Sequence, residues 1–167
     1  THARNDGYRV IVIPSSIAHK LPTIQDIHEQ PIHTLDEYRK EWNDSFQFTF
    51  IPSEQLQPEE QAVYALTKPI MRLLPHHPGK VRAVLISETM RLNPYNNNEA
   101  VGVWEEAEQR IVIKRDQLQN VSHYAGTLLH EYIHALSGAD DETLDFEHGL
   151  TEALGTLAEH TLKTKPA

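Results

Sequence analysis

The run His130-Glu131-Tyr132-Ile133-His134 sets two imidazoles four residues apart, with a carboxylate directly after the first. On a helix, residues at that spacing project from one face, one turn apart. Both rings can then reach a single tetrahedral zinc ion at about 2.0–2.1 Å. Glu131 stands beside such a metal without being a ligand to it. There it can take a proton from zinc-activated water and pass it to the leaving amine. Hydrolysis of peptide bonds by a zinc protease needs these residue types at this spacing. The flanks agree: Thr127-Leu128-Leu129 precedes and Ala135-Leu136 follows, so Glu131 carries the only formal charge in that stretch. Two histidines and a glutamate in an apolar helix are costly unless a metal or a partner satisfies them.

A catalytic zinc takes a third protein ligand and keeps one position open. Downstream candidates are Asp140, Asp141, Asp145, Glu147, His148 and Glu152. Gly138 predicts a left-handed helix end, with a second helix folding back after a short link. That helix is expected to bury Phe146, Leu150, Ala153, Leu154 and Leu157. Glu147 shares a face with Leu150, Thr151 and Leu154 and is the favoured third ligand; Asp141 and Asp145 are the alternatives. Asp140 and Asp141 fall in or beside the turn, where capping accounts for them. Asp141 or Thr151 is also placed to orient a ligand from behind. His148 and Glu152 are assigned to the solvated side.

The other histidines are weaker candidates. His123 lies two turns before His130, about 10 Å along the axis, too far to share the metal. It is a candidate for lining a substrate cleft, as are Ile111 and Ile113 if their strand pairs with an extended peptide. His76 and His77 sit in a Pro-flanked turn, and His19, His28 and His33 lack ligand-like spacing.

The elements that must position the site follow from pattern. Arg9–Ile13, apolar from Val10 on, predicts a buried strand stopped by Pro14. Thr34 opens a short helix reaching about Asn43, and Phe46–Ile51 alternates as a strand does. Pro58 starts a helix running to about Leu74, kinked near Pro69. Pro75–Gly79 is a turn and Val81–Ser87 a strand, and Asn93–Asn98 forms a loop. Ala100–Trp104 and Arg110–Lys114 predict a hairpin, and the chain is helical from after Asp116 to His134. The expected class is α+β: a small mixed sheet whose hairpin precedes the metal helix, with a packed C-terminal helix.

The chain has 167 residues, a net charge of −9 and no cysteine. The length suits one domain over 1–167, with residues 1–99 lacking an assignable motif and 100–162 forming the metal-site core. The acidity argues against a nucleic-acid partner. No apolar run has the length of a membrane span. Without cysteine there are no disulfides or thiolate ligands, which fits a cytoplasmic protein. The chain opens Thr1-His2-Ala3-Arg4, without Met, as a processed chain or a piece of a longer protein with upstream domains would.

The run Gly126-Thr127-Leu128-Leu129-His130-Glu131-Tyr132-Ile133-His134-Ala135-Leu136 resembles the zincin metallopeptidases, most closely the compact gluzincins. That group includes minimal proteases that cleave bacterial transcriptional repressors. The resemblance implies a strand hairpin ahead of the metal helix and a glutamate on the next helix, elements similar to Gly102–Trp104, Arg110–Ile113 and Phe146-Glu147. It departs from the larger members in having only 12 residues between His134 and Glu147 and no third His at metzincin spacing. An Asp-ligated site, similar to that of aspzincins, is the alternative. Ser137 to Thr151 also resembles domains fused to bacterial GHKL-type ATPases. The function expected is a zinc peptidase acting on a protein or peptide substrate. The alternative is a metal-binding but proteolytically silent interaction or regulatory module of a larger protein.

Overall fold

The computed structural model describes residues 2–18, 20–21, 24–32, 34–74, 79–93 and 98–164. The fold is α+β, and the chain divides into two compact units, Thr1–Gln47 with Arg91–Glu99, and Phe48–Met90 with Ala100–Ala167. Phe48–Met90 belongs with the metal-site core because it supplies sheet strands and core side chains to it.

The first unit is built on helix α1 (Leu35–Ser45). Thr34 accepts from the Glu37 amide while Glu37 reaches back to the Thr34 amide, a capping box that satisfies two otherwise unpaired donors. Its small core holds Ala3, Tyr38 and Leu92. The strand expected at Arg9–Ile13 is not formed: Ile11 is 66% and Val12 96% exposed. An apolar run becomes a strand only where a neighbouring edge pairs with it, and none does among the described residues.

The second unit carries the sheet. Its elements are β1 (Phe50–Ile51), α2 (Pro58–Tyr64), α3 (Thr67–Met71), β2 (Ala83–Ser87), β3 (Gly102–Glu105), β4 (Arg110–Lys114), α4 (Val121–Ser137) and α5 (Leu144–Thr164). The single helix expected over 58–74 is broken at Ala65–Leu66. Pro69 explains the place: it has no N–H for the Ala65 carbonyl, and its ring crowds that group. The sheet order is β1-β2-β4-β3, with β2 parallel to β4 and the other pairs antiparallel.

β4 is therefore central, hydrogen-bonded on both edges. That overturns the expectation that it takes up a substrate strand, and with it the cleft roles of Ile111 and Ile113. Both are fully buried in the core, together with Tyr124 and Leu128 of α4. Each such aliphatic side chain contributes about 1.5–3 kcal/mol by leaving water. The edge strands are β1 and β3.

Beside the sheet, Arg115 grips Glu60 with two hydrogen bonds, 2.8 Å and 3.1 Å. The guanidinium holds the Glu60 carboxyl below its ordinary range. A depressed carboxylate stabilises the fold above the unfolded value of 4.5 and stops doing so as pH falls through the folded value. Glu60→Gln should thus lower the melting temperature at pH 7, with the gap to wild type closing in acid. Parallel melting curves from pH 7 to pH 3 would show that the pair does not contribute in this way.

Candidate metal centre

Helix α4 begins where Asn120 accepts from the Ser122 and His123 amides, at 2.7 Å and 3.3 Å. It ends at Gly138, left-handed with φ 67°, as the sequence predicts. Tyr124, Leu128, Tyr132 and Ala135 recur at helical period and form the core-facing stripe. Glu131 belongs to that stripe, three residues after Leu128 and four before Ala135. It is consequently 7% exposed. The backbone N–H of Trp104 on β3 donates to its carboxylate. Burial is the main influence on the Glu131 carboxyl and pushes it up to about 8; the Asp141 charge adds to this and the Trp104 amide opposes it.

His130 and His134 lie about 100° and 60° around the helix from Glu131, on the side that meets Phe146 of α5. Their Nε2 atoms lie 3.2 Å apart, and Asp141 Oδ1 is 3.2 Å from the first and 3.3 Å from the second. A tetrahedral ion with bonds of about 2.0–2.1 Å has ligand-to-ligand edges of about 3.3–3.4 Å. The three atoms thus outline one face of such a tetrahedron.

The donor chemistry fits a cation. His134 Nδ1 lies 2.7 Å from the Ala139 carbonyl, which can only accept, so the ring carries its proton on Nδ1. His134 Nε2 then turns a lone pair toward Asp141 Oδ1 and His130 Nε2. A neutral His130 has at most one proton to share among these three close contacts; a cation satisfies all three ligand atoms together. Burial pushes the His130 imidazole below its ordinary value, His134 acts the same way, and Asp141 opposes both. Among the described residues, His130, His134 and Asp141 are the group of such side chains gathered closely enough to hold an ion.

The loop between the helices brings Asp141 to this place. Ser137 Oγ donates to the Ile133 carbonyl and accepts from the Ala139 amide, which anchors the loop start. Glu142 takes a left-handed φ of 62°, turning the chain just after Asp141. Thr143 Oγ1 donates to the Asp140 carbonyl at 2.7 Å and accepts from the Phe146 amide at 3.3 Å. Thr143, not an aspartate, thereby caps α5, which starts at Leu144, later than expected.

Glu147 is not part of the group. It is exposed, because α5 turns Phe146 inward and a one-residue step rotates the next side chain by about 100°. The inward stripe is Phe146, Gly149, Leu150, Ala153 and Leu157, whereas Thr151 and Leu154 share Glu147's exposed side. Leu154, expected in the core, is 67% exposed. Asp145 is exposed as well. Thr151 hydroxyl donates to the Glu147 carbonyl, so it does not orient a ligand. His123 is exposed in the first turn of α4, away from the imidazole pair. His148 and Glu152 are solvated, as expected, and His28 is exposed. His19, His33, His76 and His77 lie outside the described residues.

What α5 contributes is Phe146. Its ring stacks on His134 at 4.1 Å and 15° and meets His130 edge-on at 4.9 Å. Gly149, one turn on, lets the helices close: a Cβ there would come within 2.9 Å of Ile133 Cγ2. Phe146→Ala should cost about 3–5 kcal/mol of stability. Phe146→Leu restores apolar volume but not the flat wall against the imidazoles. It should recover most of the stability while still binding zinc more weakly than wild type. Wild-type zinc affinity in Phe146→Leu, read by competition titration, would show that the ring does not align the histidines. The Phe146 ring, the Ala139 carbonyl and the Trp104 amide were not assigned to the site from sequence. Only Phe146 carried a signal there, as the first aromatic residue after the turn.

No family model matches the chain, and no solved structure matches it. The chain is 27% identical over 170 residues to a protein of Mycoplasma pneumoniae (strain ATCC 29342 / M129 / Subtype 1), covering 99% of this chain and 86% of that one. The description of that protein, "Uncharacterized protein", names no activity. The likeness runs through both units. No helix among the described residues is long and apolar enough to cross a membrane.

Proposed function

We propose that this chain is a zinc-dependent peptidase in which His130, His134 and Asp141 hold the metal and Glu131 is the general base. The observation that carries the reading is the convergence of two Nε2 atoms and one carboxylate oxygen at 3.2–3.3 Å, with Glu131 on the adjacent buried stripe of the same helix. A nitrogen- and oxygen-donor set of this size suits zinc, which would supply Lewis acidity to a water molecule and to the scissile carbonyl. Glu131 would take the proton of the attacking water and return it to the departing amine. His134, with its Nδ1 proton held by the Ala139 carbonyl, keeps Nε2 directed to the metal throughout. A purely structural metal site has no use for a buried carboxylate beside its ligands, which favours the enzyme over a silent module.

With an aspartate as third ligand, the resemblance that suits the chain is to the Asp-ligated zincins rather than to the gluzincins. A protein or peptide substrate and a cytoplasmic location complete the reading, the latter supported by the cysteine-free composition. Its test is digestion of an unfolded protein substrate by the zinc-loaded chain, with and without a chelator. Cleavage that stops with the chelator and returns with added zinc supports the reading. Stoichiometric zinc without cleavage across a broad panel supports the silent module instead.

A further inference from the structure

The open edge of β3 meets α4 at Glu131. The Lys114 amide donates to the Val101 carbonyl at 2.9 Å, which marks residues 101 and 114 as a directly hydrogen-bonded antiparallel pair. Every second residue of β3 shares that orientation, so Val103 and Glu105 bond to β4. Gly102 and Trp104 turn their amides and carbonyls outward, to the side where β3 has no strand partner. An outward amide at a sheet edge ordinarily goes to water. That of Trp104 goes to the Glu131 carboxylate instead.

Two residues earlier, Gly102 leaves the room that this contact needs. A Cβ on Gly102 would lie 2.8 Å from Glu131 Oε1, 2.9 Å from Glu131 Cγ and 2.6 Å from Thr127 Cγ2. Thr127 has little freedom to yield, since its hydroxyl bonds to Gln117 at 3.2 Å. The backbone of Gly102 is extended with no positive φ, so its conformation does not call for glycine; the space does. Glycine within a strand ordinarily weakens it, and here it lets strand and helix approach where the carboxylate sits.

We infer that Gly102 and the Trp104 amide are positioning elements for Glu131. The edge of β3 acts as a clasp that holds the carboxylate in one orientation beside the imidazole pair. The catalytic significance rests on the peptidase reading, but the clasp itself is physical and can be read without substrate or metal. It also corrects the role of the hairpin. At Trp104 the strand edge serves the protein's own base, so that donor is not open to an incoming peptide while the clasp is closed.

The experiment is amide hydrogen exchange at Trp104 in the metal-free chain. Wild type should protect this edge amide, and Glu131→Ala should raise its exchange rate at least tenfold while the amides of β4 stay protected. Gly102→Ala should do the same, but its Cβ also strikes Thr127 and could disturb packing. The decisive variant is therefore Gly102→Ala with Thr127→Ser, which removes the Cγ2 methyl and keeps the hydroxyl. That double variant should melt near wild type and bind zinc within about threefold of it, since neither residue is a ligand. It should still lose protection at Trp104 and, if the chain is a peptidase, show a lower kcat at unchanged KM. Trp104 exchange as slow as wild type in this double variant, or in Glu131→Ala, would overturn the inference even if the chain proves to be a peptidase. Absence of peptidase activity, with the exchange result as expected, would overturn the catalytic reading and leave the clasp standing.

Discussion

Asp141→Ala should weaken zinc binding by about a hundredfold or more, while Glu147→Ala leaves it unchanged. Losing even a residue that only orients a metal ligand commonly costs about 10–100-fold in affinity, and losing a ligand costs more. Asp141 Oδ1 touches both imidazole Nε2 atoms, whereas Glu147 is on the exposed side of α5. Asp141→Asn should do nearly as much harm, since a neutral amide is a poorer ligand than a carboxylate. The fold should survive, because Thr143 and not Asp141 caps α5. The Asp141 side chain is also 40% exposed, so its removal opens no core cavity. The measurement is competition titration against a zinc indicator. Retention of affinity in Asp141→Ala together with its loss in Glu147→Ala would return the site to the gluzincin pattern.

Glu131→Gln should keep zinc and lose about a hundred- to ten-thousand-fold in cleavage rate, the span a positioned general base contributes. The amide has the carboxylate's shape but cannot accept the proton of the attacking water. Stability should not fall. Glu131 is a buried carboxylate among Leu128, Tyr132 and Ala135, and placing a charge there is costly. An amide removes that cost, so the metal-free variant should melt at or above the wild-type temperature. A cleavage rate equal to wild type would remove Glu131 from the chemistry.

The imidazole pair and its glutamate were legible in the sequence because helical period alone settles their relation. No long-range contact is needed to place residues 130, 131 and 134 about one axis. The helix start at Thr34, the left-handed end at Gly138 and the span of β4 were legible for the same reason: each is decided within a few residues. The carboxylate that joins the imidazole pair was not. Which one does so depends on where α5 starts and which way its first turn points. Those follow from Thr143 as cap, the left-handed Glu142 and the inward Phe146. Grouping Leu154 with Ala153 in one buried stripe merged two faces of α5 and carried Glu147 inward with them. Strand order was equally hidden. Ile111 and Ile113 are apolar enough for an edge facing a substrate, yet the parallel pairing with β2 makes their strand central. Sequence alternation reports which side chains are buried, not which strand lies alongside. At Arg9–Ile13 even the element failed to form, because a strand exists only with a partner.

The central claim is one metal held by two histidines and an aspartate. Anomalous diffraction at the zinc absorption edge, from crystals of the zinc-loaded chain, tests it most directly. The account predicts a single peak about 2.0–2.1 Å from His130 Nε2, His134 Nε2 and an Asp141 carboxylate oxygen. A peak bound by Glu147 in place of Asp141, or no peak at the imidazole pair, would contradict it.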